Sequence, residues 1–389
     1  MPFNLSQLSS QTRLASEYSA STANDLAFHI ASAVRAYESL DTALVAERVQ
    51  ARKHRPWLAG VPIELIASRM PPPPIATSYV AVSTDGSHID QDHHAAMPCW
   101  LINVGRATIG YGSAPFARLK TSTNLGYRSE DLHIIHGENR IRVQGQLLNV
   151  KRQVAEIQAL AELCESQPHA IALIDGSLIL TSISRSIQEE PSFLLQEYLA
   201  ILDRIRASGA IVASYISRPA ATEIVSALRL GCCPEETCDR TCRFAEDSGR
   251  RCAMMNDVPD RLMLAEAGMA AGERTGVWRS LWTTSDKHYG PHAVHYFYID
   301  MDSEIARVEI PEWVALDPTS LARLHAVLIA QGRVGDNGYP RILIEAHHCA
   351  VINASDRRLF QSLLDQSLHG RGYAALASAK ERAKRGRAV

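Results

Sequence analysis

The run Ala170-Ile171-Ala172-Leu173-Ile174-Asp175-Gly176-Ser177 decides how this chain folds. Unbroken apolar residues ending in a turn signal are the pattern of a strand buried on both faces of a sheet. Upstream, Tyr79 to Ser83 predicts another strand, and it leads into the same tripeptide, Asp85-Gly86-Ser87. Asp-Gly is an ordinary turn pair, so each aspartate taken alone reads as the start of a loop. Two such aspartates behind apolar strands carry more weight, because ligand sites in open sheets gather at strand carboxyl ends. Glycine beside each lets the backbone approach closely, and the serines could orient a carboxylate. Two carboxylates on neighbouring strands repel unless a divalent cation lies between them, and hard oxygen donors suit magnesium or manganese.

Outward from these runs the chain alternates. Strands are expected at Met97 to Ile109 and Leu132 to Val143, then a helix from Leu147 to Glu165 with an apolar stripe through Val150, Val154, Ile157, Ala161 and Cys164. After Asp175 a helix from Ser192 to Ala207 leads through Gly209 into a strand, Ala210 to Ile216. Three leading strands followed by alternating helices imply an α/β mixed sheet with flanking helices. Further strands are expected at Ala293 to Ile299 and Ile305 to Ile310. Asp317-Pro318 opens a helix as N-cap and first-turn proline, and a last core helix runs from Tyr339 to Ile352. Residues 11 to 54 read as helical, and Pro71 to Pro74 favour an extended spacer. The division is therefore an N-terminal helical region and spacer (1–74), a first core part (75–218), a Cys-rich insertion (219–290), a second core part (291–366) and a basic tail (367–389).

Two further polar positions stand out. Glu156 borders the apolar stripe of its helix, and it is either a metal-facing carboxylate or a surface glutamate paired with Arg152 one turn earlier. His347 and His348 lie in an apolar helix, where a buried polar group needs partners. They read equally as satisfied core histidines or as a metal ligand and proton carrier.

The ordered set of motifs resembles the NurA family of DNA double-strand-break repair nucleases. The pieces are Val82-Ser-Thr-Asp85-Gly-Ser, Arg152-x-x-x-Glu156, Leu173-Ile-Asp175-Gly-Ser-Leu, Tyr215-Ile-Ser-Arg218-Pro, Phe297-Tyr-Ile, Arg307-Val-Glu-Ile-Pro-Glu-Trp313 and Tyr339-Pro with Glu345-Ala-His347. The resemblance implies an RNase H-like fold and a metal site of Asp85, Glu156, Asp175 and His347, with Tyr339 lining it. It implies two-metal hydrolysis of DNA with manganese or magnesium, acting 5′ to 3′ as an exonuclease and on single strands as an endonuclease. It also implies a homodimer docked on a hexameric HerA-type translocase. Arg218 and Lys287 are candidate phosphate contacts. Two other functions stay open: an RNase H-like nuclease acting on RNA or DNA junctions, and a non-catalytic nucleic-acid-binding scaffold. A scaffold, however, has no need of clustered carboxylates.

Five of the eight cysteines fall between Cys232 and Cys252. Cys233, Cys238, Cys242 and Cys252 form a candidate structural zinc set, although their spacing is not the paired C-x-x-C of common ribbons, and a loop of free thiols explains them equally. The net charge of −2 gives no hint of a nucleic-acid partner, while the tail from Ala379 to Arg387 carries five cations and one anion. No stretch is apolar enough to span a membrane, and the first thirty residues lack a secretory h-region, so a cytoplasmic protein is expected.

Overall fold

The computed structural model describes residues 4–51, 58–91, 97–136, 139–180, 193–233, 252–282 and 288–370. In chain order its strands are β1 (Gly60–Pro62), β2 (Arg69–Met70), β3 (Tyr79–Ile89), β4 (Trp100–Tyr111), β5 (Phe116–Gly126), β6 (His133–His136) and β7 (Asn139–Arg142). They continue as β8 (Ile171–Asp175), β9 (Ile211–Ile216), β10 (Arg274–Thr275), β11 (Trp278–Ser280), β12 (Val294–Asp300) and β13 (Ile305–Pro311). The chain divides into two compact units, one of Met1–Pro74 with Tyr215–Ile329 and one of Ile75–Ser214 with Ala330–Val389.

The second unit carries the acidic residues. Its strands lie in the order β9-β8-β3-β4-β5, with β3, β4 and β5 an antiparallel meander and β8 parallel to β3. This is the expected RNase H-like mixed sheet. The helices Gln146–Ser166 and Phe193–Ala207 alternate with β8 and β9 along the chain. Trp100, Ile102 and Val104 of β4 pack with Leu148 and Ala159 of the Gln146–Ser166 helix. The helix Arg341–Ala350 lies close on β3 and β4. A Cβ at Gly105 would stand 2.5 Å from Ala346 O and 2.6 Å from Ala350 N, so only glycine admits the helix backbone there.

In the first unit the Leu5–Ser39 helix packs its C-terminal half, through Ala33, Ala36 and Tyr37, into a core shared with Val45, Leu228, Trp278 and Tyr298. Antiparallel β1, β11, β12 and β13 form its sheet. Buried Arg307 pairs with Glu223 at 2.8 Å and Glu309 at 3.0 Å, and its guanidinium stacks 3.8 Å from the Tyr296 ring centroid. The described parts of residues 219–290 supply the helices Glu223–Cys232 and Asp260–Glu266 together with β10 and β11. No described helix is long and apolar enough to cross a membrane.

Two local expectations are corrected. Residues 132–143 do not form a sheet strand; they hold a two-stranded hairpin, β6 with β7, and the third strand of the meander is β5. β5 is exposed along nearly its whole length, so it lacks the apolar alternation by which a strand is recognised. The helical reading of the N-terminal region holds over its described residues, as two helices, Leu5–Ser39 and Thr42–Ala51. Asp85 does not follow its strand. β3 runs on through Asp85-Gly86-Ser87, because pairing with Gly105, Val104 and Asn103 keeps that tripeptide extended.

Candidate active site

Asp85 sits in the middle of β3, and its register partner is Gly105, the residue over which the Arg341–Ala350 helix passes. That helix brings His347 to it, with Nδ1 2.8 Å from Asp85 Oδ2. The other carboxylate oxygen, Oδ1, accepts from Gly86 N at 2.7 Å. Asp175 ends β8, the parallel neighbour of β3, one residue beyond the Thr84–Ile174 pair, so it falls beside Asp85 on the same face of the sheet. Tyr339 donates a hydrogen bond to the Asp175 carboxylate. Desolvation, reinforced by the nearby Asp85 charge, raises the Asp175 pKa above the usual carboxylate range.

Glu156 comes from the Gln146–Ser166 helix and is buried. Thr84 donates to its backbone carbonyl at 2.9 Å, fastening that turn of helix to β3. Burial, with like charge from Asp85 and Asp175 added, pushes the Glu156 carboxyl up to about 8, against the lowering effect of Arg152. Its side chain pairs with Arg152 Nη1, as the simpler reading of the sequence expected. The burial contradicts only the surface half of that reading. A Cβ on Gly86 would collide with the Glu156 carboxylate, so this glycine is what allows the acid to approach the strand.

The positions of these elements depend on residues that no motif pointed to. Ser87 Oγ and Asn103 Nδ2 donate to Ala350 O at 2.5 and 2.9 Å, and Thr121 Oγ1 donates to Cys349 O at 3.0 Å. Three sheet side chains thus satisfy the unpaired carbonyls at the end of the His347 helix. Ser87 therefore holds that helix and does not orient a carboxylate. At the helix start, buried Gln331 accepts from Ile342 N and donates to the Tyr79 hydroxyl, both at 2.9 Å. Side-chain hydrogen bonds across long sequence separations leave no periodic signal, which is why sequence reading passed over them.

The structure therefore brings Asp85, Glu156, Asp175, His347 and Tyr339 to one place. Among the described residues no three His, Cys, Asp or Glu side chains are grouped closely enough to hold a metal ion as they stand, and Glu156 is turned onto Arg152. Arg218 is exposed in the first unit at φ +43°, and Lys287 lies outside the described residues. Of the cysteine set, Cys238 and Cys242 also lie outside them. Cys233 is buried, Cys252 is half-buried, and their carbonyls accept from Arg48 at 3.0 Å and Arg229 at 2.9 Å respectively.

The sequence model of the NurA domain matches residues 79–352, most of the chain and all of the residues just described as one cluster. The chain belongs to the NurA family. NurA is a nuclease family of DNA end processing, and its members act on DNA. No curated protein matches the chain. The NurA match begins at Tyr79, the first residue of β3, and ends just beyond the His347 helix, so it encloses every element of the acidic cluster.

The donor set suits a divalent cation. Three carboxylates and an imidazole offer hard oxygen and borderline nitrogen ligands, and burial, with like charge from Asp85 added, raises the Glu156 and Asp175 carboxyls, a penalty that a bound cation would relieve.

Proposed function

We propose that this NurA-family chain is a metal-dependent nuclease that hydrolyses DNA phosphodiester bonds. The observation that carries this reading is the convergence of Asp85, Glu156, Asp175 and His347 from two strands and two helices onto one carboxylate-rich point. Asp85, Glu156, Asp175 and His347 would hold manganese or magnesium. When bound, a pair of such cations lowers the pKa of the attacking water and neutralises charge on the leaving oxygen.

The chain's own groups prepare that chemistry. Asp85 is oriented by Gly86 N and by His347 Nδ1. A carboxylate only accepts, so Nδ1 is the donor in this contact, which leaves Nε2 as the ring nitrogen that would meet a cation. Tyr339 steadies Asp175, and its role as a substrate contact is part of the proposal. The buried Thr84 bond keeps the Glu156 backbone fixed beside β3.

Action from 5′ ends, endonuclease activity on single strands, and assembly as a homodimer on a HerA-type hexameric translocase follow as proposals from family membership. Arg218 and Lys287 remain proposed phosphate contacts, and the cysteine set a proposed structural zinc site. End-labelled single- and double-stranded DNA and RNA, incubated with each metal in turn, test the reading. Metal-dependent cleavage of DNA supports it; cleavage confined to RNA, or none with either metal, overturns it.

A further inference from the structure

Arg152 stands one helical turn before Glu156, and its guanidinium is held on three sides. Nε and Nη2 donate to Asn149 Oδ1 at 3.2 and 2.9 Å, and Nη1 donates to Gly86 O at 3.1 Å while also pairing with Glu156 Oε1. An ordinary i,i+4 pair is solvated and weak. Here the two side chains are only 18% and 11% exposed, and Glu156 faces two more carboxylates. The guanidinium therefore occupies the place of a counter-ion in a site built of acids. A divalent cation bound by Asp85, Glu156 and Asp175 would claim the same carboxylate charge, and two cations beside one carboxylate repel each other.

We propose that Arg152 is an exchangeable counter-ion, which holds Glu156 in the metal-free protein and turns Nη1 to a phosphate oxygen of the DNA once a cation takes that carboxylate. This rests on the metal-dependent nuclease reading above. A guanidinium suits the task because its planar fork offers five donors. Asn149 and Gly86 O can keep one side of the fork while the edge facing Glu156 changes partner. Asn149 is then a positioning residue that sets where the fork points. The phosphate contact exists only with the cation in place, so metal and DNA binding become coupled through one side chain.

The test is DNA affinity with and without Mn2+, measured by fluorescence anisotropy on a phosphorothioate oligonucleotide that resists hydrolysis, with calorimetry reading Mn2+ binding itself. The wild type is expected to bind DNA more tightly with Mn2+. Arg152→Gln is expected to lose about tenfold in affinity with Mn2+, the worth of a charge-assisted hydrogen bond, and to stay within about twofold of wild type without it. Arg152→Lys keeps the charge without the fork, so it retains part of the Mn2+-dependent affinity and serves if the glutamine variant does not fold. Equal losses with and without Mn2+, or no loss in either condition, overturn the exchange while leaving the nuclease reading standing. Absence of any calorimetric Mn2+ signal in the wild type brings down that reading and the exchange with it.

Discussion

His347 Nδ1 and Asp85 Oδ2 lie 2.8 Å apart, tying the Arg341–Ala350 helix to the middle of β3. The ring is 60% exposed, so its removal leaves no cavity in the core. His347→Ala is expected to keep its circular dichroism and melting temperature while losing at least about tenfold in cleavage rate, the scale at which a group that orients or ligates a metal acts. A variant that cleaves like the wild type would make His347 a surface residue.

Asp175→Asn removes one of three neighbouring carboxylates and leaves side-chain volume nearly unchanged. Because the Asp85 charge and desolvation both weigh on Asp175, the metal-free variant should melt at the same temperature as wild type or higher. Addition of Mn2+ should then stabilise it far less than it does the wild type, since ligand binding to the folded state sets that increment. Differential scanning fluorimetry with and without Mn2+ reads both. A full Mn2+-dependent shift in the variant contradicts the placement of Asp175 in the site.

Gly86→Ala is a test of space. The added Cβ would collide with the Glu156 carboxylate and stand 3.0 Å from Arg152 Cγ. Overpacking of this kind costs about 1–3 kcal/mol. The variant should lose stability by that amount in urea and lose Mn2+ affinity as well, because Glu156 is displaced from β3. Retention of both would mean that Glu156 has room to move and that the glycine is incidental.

Much of this site is legible in the chain because each acid is flanked by an element with a strong local signal. β8 announces itself by an unbroken apolar run, and Glu156 by a 3.6-residue stripe. What failed was local too. The tripeptide after Asp85 has the composition of a turn, yet backbone pairing to Gly105, Val104 and Asn103 holds it in the strand. β5 presents Arg118, Lys120, Ser122 and Asn124 to solvent and gives nothing for a hydrophobic pattern to catch. The Ala354–His369 helix spaces Leu359, Phe360, Leu363, Leu364 and Leu368 at helical intervals yet buries no residue, so here an apolar stripe does not report core packing. Ser87, Asn103, Thr121 and Gln331 act on groups far away along the chain, and only the folded arrangement reveals what they touch.

Gln331 carries a prediction of its own. Its amide is fully buried and joins the start of the His347 helix to Tyr79 at the start of β3. Gln331→Met preserves volume but leaves Ile342 N–H and the Tyr79 hydroxyl without that partner. Each orphaned buried group costs about 1–3 kcal/mol. The expected result is an unfolding free energy lowered by several kcal/mol, read as a lower urea midpoint at an unchanged m-value. A loss below about 0.5 kcal/mol would show that water or a small shift repairs both groups.

His325 gives the fold a pH dependence whose sign can be worked out. It lies 3% exposed on the Pro318–Val334 helix, and Nε2 donates to Gly272 O at 2.8 Å. Burial pushes its pKa down from 6.5 to about 4, with the positive charge of Arg274 adding to the effect and the Gly272 hydrogen bond opposing it. Between those two values the unfolded chain binds the proton and the folded one does not, so stability rises with pH there. The contribution is complete above about pH 6.5 and is lost as the pH falls toward 4, amounting to about 2 kcal/mol by pH 5. His325→Gln keeps a donor for the Gly272 carbonyl and does not titrate. The gap in melting temperature between wild type and this variant, measured from pH 7 down to pH 4.5, should therefore move steadily against the wild type. A gap that stays constant over that range would mean that His325 is protonated in the folded protein as readily as in the unfolded chain.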